Sequence, residues 1–195
     1  MNPPQLNLKQ TALVLIDLQQ GIVKMPVVPY SGAQVVKNAA EIATRFRAAG
    51  APVVLVRVAF SVDGGDALKP EADEVFNRGP LPPDWAEFVP EIGPDPKDIL
   101  ITKRHWGAFH GTELDLQLRR RGIEKIVLGG IATNFGVEST ARAAYEHGYH
   151  QVFVEDAMAS LSEEAHAFSV RHILPRLGLV RSTAEVLAAC SQAGA

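Results

Sequence analysis

One stretch, residues 125–144, constrains the fold more than any other part of this chain. It reads KIVLGGIATNFGVESTARAA. Its opening is a short apolar run of the kind found in a strand that is buried on both faces of a parallel sheet. Two glycines and a tight turn follow, after which Val137, Ala141 and Ala144 recur at the spacing of one helix face. The stretch is therefore predicted to be a strand, a glycine turn and a helix.

The start of this predicted helix is the first candidate for a functional site. Backbone N–H groups without helical partners, together with the positive end of the helix dipole, favour an anion or a developing oxyanion there. Asn134 is expected to cap the helix. Every strand-to-helix turn of an open sheet has such a helix start, so this stretch alone favours a structural role. The unexpected residue in the turn is Gly136.

Alternation of strands and helices continues along the chain. It predicts an α/β fold with three layers, α/β/α, around a six-stranded, mainly parallel, Rossmann-like sheet. The apolar runs expected to form its strands are 11–18, 53–60, 98–103, 126–128, 151–157 and a short run from 179.

A chain of 195 residues suits one domain, and residues 1–195 are predicted to form it. Residues 1–10 carry two prolines and no periodicity, which predicts a loose N-terminal arm. Residues 61–98 hold most of the prolines and are too long for a plain connection, so they are interpreted as an insertion that forms a lid or an interface.

Composition excludes several classes of function. The formal net charge of −3 gives no overall attraction to nucleic acid or to an anionic membrane. No signal peptide and no apolar run of membrane-spanning length are apparent, so a cytoplasmic location is expected. The single cysteine, Cys190, excludes an intrachain disulfide and a thiolate metal cluster. It is interpreted as a small apolar filler or a surface residue.

Charged residues stand near the ends of three predicted strands, of which the fifth ends in Glu155 and Asp156. Asp17 ends the first strand and Lys103 ends the third. Ligands of open α/β sheets bind beyond the carboxyl ends of the strands, although an aspartate there can also cap a turn. If strands one, three and four are neighbours, these two side chains meet the turn at 131–136. A structural ion pair is the alternative, but the convergence of three elements favours a general acid/base pair.

Together these motifs resemble the isochorismatase-like hydrolases, the superfamily that includes nicotinamidases and other cysteine amidohydrolases. The resemblance runs from residue 11 to about 187 and rests on LVLIDLQ, TKRHWGAFHGTEL, the glycine turn and VEDAMAS. It implies that Asp17 and Lys103 are two members of an Asp–Lys–Cys triad. It also implies a cis peptide bond between Ile131 and Ala132, just before Thr133, that helps to form an oxyanion hole.

The third triad member is missing, because Gly136 stands where the resemblance requires cysteine. Without a thiolate no thioester can form, and Cys190 lies too far along the chain to replace it. True isochorismatases resemble this chain in carrying glycine at that position. They hydrolyse an enol (vinyl) ether with water. By this resemblance Asp17 protonates the enol-ether carbon, Lys103 positions or stabilises the acid, and the turn N–H groups orient water or substrate.

Further side chains near these motifs are candidates for substrate binding. Trp106 and Phe109 either line an apolar wall or pack their own loop. Arg57 and Arg104 either bind a substrate carboxylate or form structural pairs. The full set of candidates is Gln19, Arg57, Arg104, Trp106, Phe109, Asn134 and Phe135.

No metal or cofactor is expected. Nicotinamidases carry Asp-x-His and a further histidine after the second strand, whereas residues 59–63 here read AFSVD. The six histidines lie elsewhere, and none has ligand spacing with a carboxylate.

Two functions remain open at this stage. The first is a metal-free, non-thiol hydrolase of a small carboxylated enol ether such as isochorismate. The second is a fold-retaining protein that has lost hydrolysis and serves as a small-molecule binding or assembly module. The resemblance implies a homodimer or a homotetramer in either case.

Overall fold

A six-stranded sheet forms the centre of the structure, a computed structural model that describes residues 4–74 and 79–192. The strands are β1 (Thr11–Ile16), β2 (Val53–Val58), β3 (Ile99–Lys103), β4 (Lys125–Ile131), β5 (His150–Ala159) and β6 (Leu179–Arg181). Their order across the sheet is β3-β2-β1-β4-β5-β6, and every neighbouring pair is parallel. This order is that of a doubly wound, Rossmann-like sheet. The predicted fold class is confirmed.

Seven α-helices are formed by the described residues. They are α1 (Gln20–Val23), α2 (Gly32–Ala48), α3 (Leu114–Arg120), α4 (Glu138–Glu146), α5 (Glu163–Phe168), α6 (Leu174–Leu177) and α7 (Thr183–Gln192). π-Helical turns at Thr133–Val137 and Ser169–Ile173 lead into α4 and α6. None of these helices has the length and apolar character needed to cross a bilayer.

Two apolar cores cover the two faces of the sheet. Leu13 and Leu15 of β1 belong to the core that contains α2 and α7. Val14 and Ile16 belong to the other core, which contains α3, α4 and α6. Successive side chains of a strand point to opposite faces, so helices on both faces bury every residue of β1. The three-layer arrangement predicted from the apolar runs follows from this packing.

At the centre of the sheet, β1 and β4 approach each other closely near their carboxyl ends. Gly130 has φ of 126°, and a Cβ atom there would lie 2.1 Å from the carbonyl oxygen of Ile16. Only glycine fits such a position without moving the backbone. Between these two strands the order of strands reverses direction, and ligands of open α/β sheets bind at that switch point.

The 61–98 segment lies against the chain just after β1. The described residues of this segment, 61–74 and 79–98, form no helix or strand, and residues 75–78 of the expected insertion lie outside the described residues. The N–H of Gly21 donates to the carbonyl of Trp85, and the N–H of Val89 donates to the carbonyl of Leu18. The segment therefore packs at the carboxyl end of β1, while its role as a lid stays a prediction.

The described part of the expected N-terminal arm, residues 4–10, is not loose. Leu6 is buried in the core that contains α2. The Nζ atom of Lys125 donates to the carbonyl of Gln5 at 2.6 Å. A buried leucine was enough to attach a segment whose sequence shows no periodicity; residues 1–3 lie outside the described part of the chain.

Candidate active site

The carboxylate of Asp17 and the ammonium of Lys103 meet at the carboxyl edge of the sheet. Oδ2 of Asp17 lies 2.8 Å from Nζ of Lys103, and the two residues are 6% and 2% exposed. The condition that strands one and three are neighbours is wrong, because β2 lies between β1 and β3. The pair forms nonetheless, because the long side chain of Lys103 reaches across the end of β2.

Asp17 is held in an unusual environment. It leaves β1 with φ of 54°, a left-handed conformation that aspartate tolerates better than most residues. Its Oδ1 atom is buried and has no hydrogen-bond partner among the described residues. Burial raises the pKa of Asp17 to about 6, although the charge and hydrogen bond of Lys103 act in the opposite direction. The carboxyl group can therefore exchange a proton close to neutral pH.

Gly136 brings the backbone of the turn directly against this carboxylate. A Cβ atom at Gly136 would lie 3.4 Å from Oδ2 of Asp17 and 3.5 Å from the carbonyl oxygen of Trp106. It would also lie 2.9 Å from Cγ2 of Ile16, closer than real Cβ contacts. The position of the expected nucleophile thus adjoins the acid, but Ile16 occupies the space that a side chain would need.

The turn after β4 has the backbone geometry that the resemblance implied. The peptide bond between Ile131 and Ala132 is cis. The π-helical turn begins at Thr133 and leads directly into α4. The first N–H groups of a helix have no partner within it, so they are the donors that a ligand at this edge can use.

Asn134 does not cap the helix, and this prediction was wrong. Ala132 holds the N-cap position, and Asn134 lies inside the first turn because the helix begins with a π-helical turn. The Oδ1 atom of Asn134 instead accepts a hydrogen bond from the hydroxyl of Ser160. Its side chain therefore ties the turn to the end of β5.

The loop after β3 adds an aromatic wall. Nζ of Lys103 also donates to the carbonyl of His105 at 3.0 Å, which holds this loop beside the pair. The ring of Trp106 packs edge to face on Phe135, with centroids 4.9 Å apart. Trp106 is 58% exposed, so most of its surface is free for a further contact. The structure thus brings Trp106 and Phe135 together at the turn.

The side chain of Gln19 is bound by backbone groups of the protein. Its Nε2 atom donates to the carbonyls of Val58 and Trp85, each at 3.0 Å, and its Oε1 atom accepts from the N–H of Val58 at 2.9 Å. Gln19 is fully buried. The amide therefore joins the end of β2 to the 61–98 segment, and both of its ends are already engaged.

The two arginines lie in different surroundings. Nε of Arg57 donates to the hydroxyl of Thr102 at 3.2 Å, and its guanidinium lies 5.8 Å from the ring centre of Phe88. Arg104 forms an ion pair with Asp66 of the 61–98 segment. Arg104 thus connects the loop that follows β3 to the predicted lid.

Phe109 is not brought to the acid pair. It is buried, stacks on His147 with centroids 5.1 Å apart, and packs at a tilt against Tyr149 with centroids 5.7 Å apart. These residues follow the C-terminal end of α4, whereas Gly136 precedes the start of that helix. Of the two open interpretations of Phe109, packing is the one that its contacts support.

Sequence reasoning missed a partly buried chain of polar contacts behind the turn. The hydroxyl of Thr133 lies 2.8 Å from Nδ1 of His166 on α5. Nε2 of His166 lies 3.7 Å from Oε1 of Glu155, and both carboxylate oxygens of Glu155 accept from the hydroxyl of Tyr30 at 3.0 Å. Glu155 was noticeable as a carboxylate near the end of a strand. Nothing in the local sequence marks His166, since only the fold brings α5 to the turn.

The described residues hold no group of three or more His, Cys, Asp and Glu side chains that could bind a metal ion. That finding concerns clusters within residues 4–74 and 79–192 alone. The expectation of metal-independent chemistry stays a prediction.

Comparison with known proteins places these features in a family. The model of the isochorismatase domain matches residues 11–185. The isochorismatase family protein YwoC of Bacillus subtilis is 54% identical over 189 residues, covering 96% of this chain and 97% of its own. The ureidoacrylate amidohydrolase RutB of Variovorax paradoxus is 32% identical over 196 residues, covering 84% of this chain and 74% of its own.

A solved structure shows the same fold along nearly the whole chain. The isochorismatase family protein from Burkholderia thailandensis superimposes with a TM-score of 0.93 at 50% identity, covering 97% of this chain and 100% of the other. Strand order, the acid–lysine pair and the cis turn are thus accompanied by sequence similarity from β1 to α7. The chain belongs to the isochorismatase family of hydrolases.

Proposed function

We propose that this chain hydrolyses the vinyl ether of a small carboxylated substrate of the isochorismate type, with Asp17 as the acid and water as the attacking group. The observation that carries the proposal is the buried contact between Asp17 and Lys103 beside Gly136, a residue with no nucleophilic side chain. A reaction at this site then has a proton donor and backbone donors, but position 136 supplies no thiolate for a covalent thioester intermediate.

The chemical steps balance without a cofactor. Asp17 transfers its proton to the terminal carbon of the C=C bond, and the oxygen lone pair supports the resulting oxocarbenium ion. Water adds to that cation and returns a proton to the Asp17 carboxylate. The hemiketal then collapses to a ketone, here pyruvate, and releases the ring alcohol. Because Oδ2 accepts from Lys103, the transferable proton is placed on Oδ1.

The other residues have supporting roles in this proposal. Lys103 fixes the orientation of the acid through its bond to Oδ2 and stabilises the carboxylate after proton transfer. The N–H groups at Thr133 and Asn134 orient water or a substrate oxygen. Trp106 and Phe135 provide an apolar surface for the ring. Arg104 and Arg57 are the candidate partners of a substrate carboxylate, and Arg104 would share or exchange its ion pair with Asp66 to bind one.

Oxygen labelling tests the proposal. Purified protein is incubated with isochorismate in water enriched in heavy oxygen, and both products are analysed by mass spectrometry. We expect pyruvate to be released and the ring diol to carry no label, since water attacks the carbon that becomes the ketone. Absence of pyruvate, or label in the diol, contradicts the proposal. Ureidoacrylate is the comparison substrate, and its amide should not be hydrolysed because Gly136 supplies no thiolate.

A second candidate function is a degenerate family member that binds a small molecule or supports an assembly without turnover. The crowding at Gly136 favours this function, because the side chain of Ile16 fills the space that a nucleophilic side chain at position 136 would need. Thermal-shift measurements with isochorismate and related carboxylates distinguish the two functions. A ligand that raises the melting temperature but is recovered unchanged supports the binding module.

The remaining expectations are also proposals. A homodimer or homotetramer should be visible by sedimentation of the purified chain. Elemental analysis together with full activity after treatment with a chelator would support the expectation that neither metal nor cofactor is needed.

A further inference from the structure

The turn after β4 is attached by a histidine that forms no hydrogen bond or ion pair with Asp17 or Lys103 within the described part of the chain. His166 lies on α5, is 3% exposed, and places Nδ1 2.8 Å from the hydroxyl of Thr133. Thr133 is fully buried and directly follows Ala132, the second residue of the cis peptide bond. The hydroxyl of Thr133 therefore joins the start of the turn to α5.

Glu155 faces the other side of the same ring. Nε2 of His166 is buried without a hydrogen-bond partner among the described residues, and Oε1 of Glu155 faces it at 3.7 Å. The neighbouring His166 and the hydroxyl of Tyr30 lower the pKa of Glu155, although partial burial acts in the opposite direction. Glu155 is therefore a carboxylate at neutral pH, and a carboxylate can only accept hydrogen bonds.

These contacts determine which nitrogen of the ring carries the proton. With an acceptor facing Nε2, a neutral imidazole carries its proton there and leaves the lone pair on Nδ1. The hydroxyl of Thr133 must then donate to Nδ1. In the other tautomer Nδ1 would be a donor, the hydroxyl would have to turn round, and its own proton would need another acceptor in a buried turn.

We propose that Glu155, His166 and Thr133 form a positioning relay, in which Glu155 selects the tautomer of His166 and His166 fixes the backbone of the turn that faces Asp17. This inference rests on the proposed function for its effect on turnover. It makes Glu155 and His166 positioning residues that act through Thr133, whose backbone N–H belongs to the proposed set of donors at the turn. Fixing a turn acts on the geometry of reaction, so its loss lowers kcat more than it changes KM.

Other titratable groups around the ring are few among the described residues. Glu155 faces it from β5, and Tyr30, whose ring is edge-on to the imidazole at 6.3 Å, faces it from the segment before α2. Asp156 acts on Tyr30, and Glu163 and Glu164 stand in the first turn of α5 itself. The turn contributes only the neutral Thr133.

The chain contains a matched control for Glu155. Asp115 also accepts a hydrogen bond from a tyrosine, Tyr149, at 2.8 Å, and it also faces a histidine, His147, whose Nδ1 lies 4.0 Å away. This second set lies on α3 and after α4, away from the turn. Removing the charge of Asp115 also costs an exposed ion pair with Arg119 on the same helix, so this control loses at least as many contacts. Glu155 is nevertheless the one of the two that faces the histidine bound to Thr133.

Kinetics and nitrogen NMR of the full chain test the relay. Glu155→Gln should lower kcat for isochorismate about tenfold with KM nearly unchanged, whereas Asp115→Asn should leave both unchanged. His166→Asn offers an amide oxygen near the place of Nδ1 and needs no tautomer. Adding Glu155→Gln to His166→Asn should therefore cause no further loss, which a merely structural role of Glu155 would not predict.

Nitrogen NMR of the wild-type protein reports the tautomer without any variant and without turnover. We expect Nδ1 of His166 to be unprotonated and Nε2 to carry the proton at neutral pH, and Glu155→Gln to change that ratio. A protonated Nδ1 overturns the relay, as does an equal loss of kcat in Glu155→Gln and Asp115→Asn. If isochorismate is not turned over, the effect on turnover fails together with the proposed function, and the NMR result still decides whether the relay exists.

Discussion

Nζ of Lys103 lies 2.8 Å from Oδ2 of Asp17, although 86 residues separate them and β2 lies between their strands. Both groups are buried, so the contact is shielded from water and salt. A buried pair of this kind is a weak source of stability, because the desolvation of two charges opposes their attraction. Its place at the switch point of the sheet is better explained by chemistry than by stability.

The pH dependence of turnover should follow the ionisation of Asp17. A general acid must be protonated in the free enzyme, and burial raises the pKa of Asp17 to about 6. The value of kcat/KM should therefore be highest below pH 6 and fall as pH rises through that pKa, about tenfold for each further unit. A rate that rises with pH over the same range would show that the carboxylate, acting as a base, is the active form.

Lys103→Met should move the falling limb of the pH profile, the range in which kcat/KM decreases, to higher pH. The ammonium lowers the pKa of Asp17 both by its charge and by its hydrogen bond, so its removal leaves the effect of burial opposed only by the smaller effect of the Val58 backbone. We expect the limb to shift upward by about 1 to 3 pH units and kcat to fall, because the acid loses the group that orients it. An unchanged limb would mean that a different group titrates.

Gly136→Ala should destabilise the protein and reduce turnover. The added Cβ atom would lie 2.9 Å from Cγ2 of Ile16, so one of the two must move, at a cost of about 1–3 kcal/mol in the free energy of unfolding. Gly107→Ala is the control, since its Cβ atom would lie 3.6 Å from Ser139, an ordinary contact. Urea denaturation measures both variants.

The same clash predicts coupling between two sites. In the double variant Gly136→Ala with Ile16→Ala, the combined loss of stability should be smaller than the sum of the single losses. Additive losses would show that Ile16 does not restrict Gly136.

Gln19→Leu should act on stability rather than on substrate affinity. The substitution leaves the N–H of Val58 and the carbonyls of Val58 and Trp85 without their buried partner. We expect the free energy of unfolding to fall by at least about 2 kcal/mol, while Gln34→Leu, at an exposed position of α2 where a single hydrogen bond to Asn38 is lost, lowers it by less. A raised KM with unchanged stability would restore Gln19 as a substrate contact.

The local pattern of the sequence predicted each strand, because the apolar runs of a doubly covered sheet are continuous and stand out. Their ends were less certain: β5 extends to Ala159, beyond the predicted end at 157, since its pairing with β4 resumes after an irregularity between Leu128 and Gly130. The order of strands is not written in any local pattern. For that reason the position of β2 between β1 and β3 could not be foreseen.

Within the candidate site, the residues at strand ends were found and those contributed by helix packing were not. Asp17 and Lys103 stand out because charges rarely end apolar runs. The partners of Asn134 and Thr133 could not be identified, since Ser160 and His166 reach them only through the packing of β5 and α5 against the turn. Phe109 was ambiguous for the opposite reason: an aromatic residue next to a functional loop serves equally well in the core.

Turnover of isochorismate by Asp17→Asn, measured as pyruvate release, tests the central claim most directly. The control is Asp98→Asn, since Asp98 is also paired with a cation, Arg47 at 2.6 Å, but precedes β3 and so lies at the opposite edge of the sheet. Asparagine at position 17 keeps the size of the side chain but cannot donate the proton, so kcat should fall at least about a hundredfold, while Asp98→Asn alters stability alone. Equal turnover by Asp17→Asn and the wild-type protein would contradict the account.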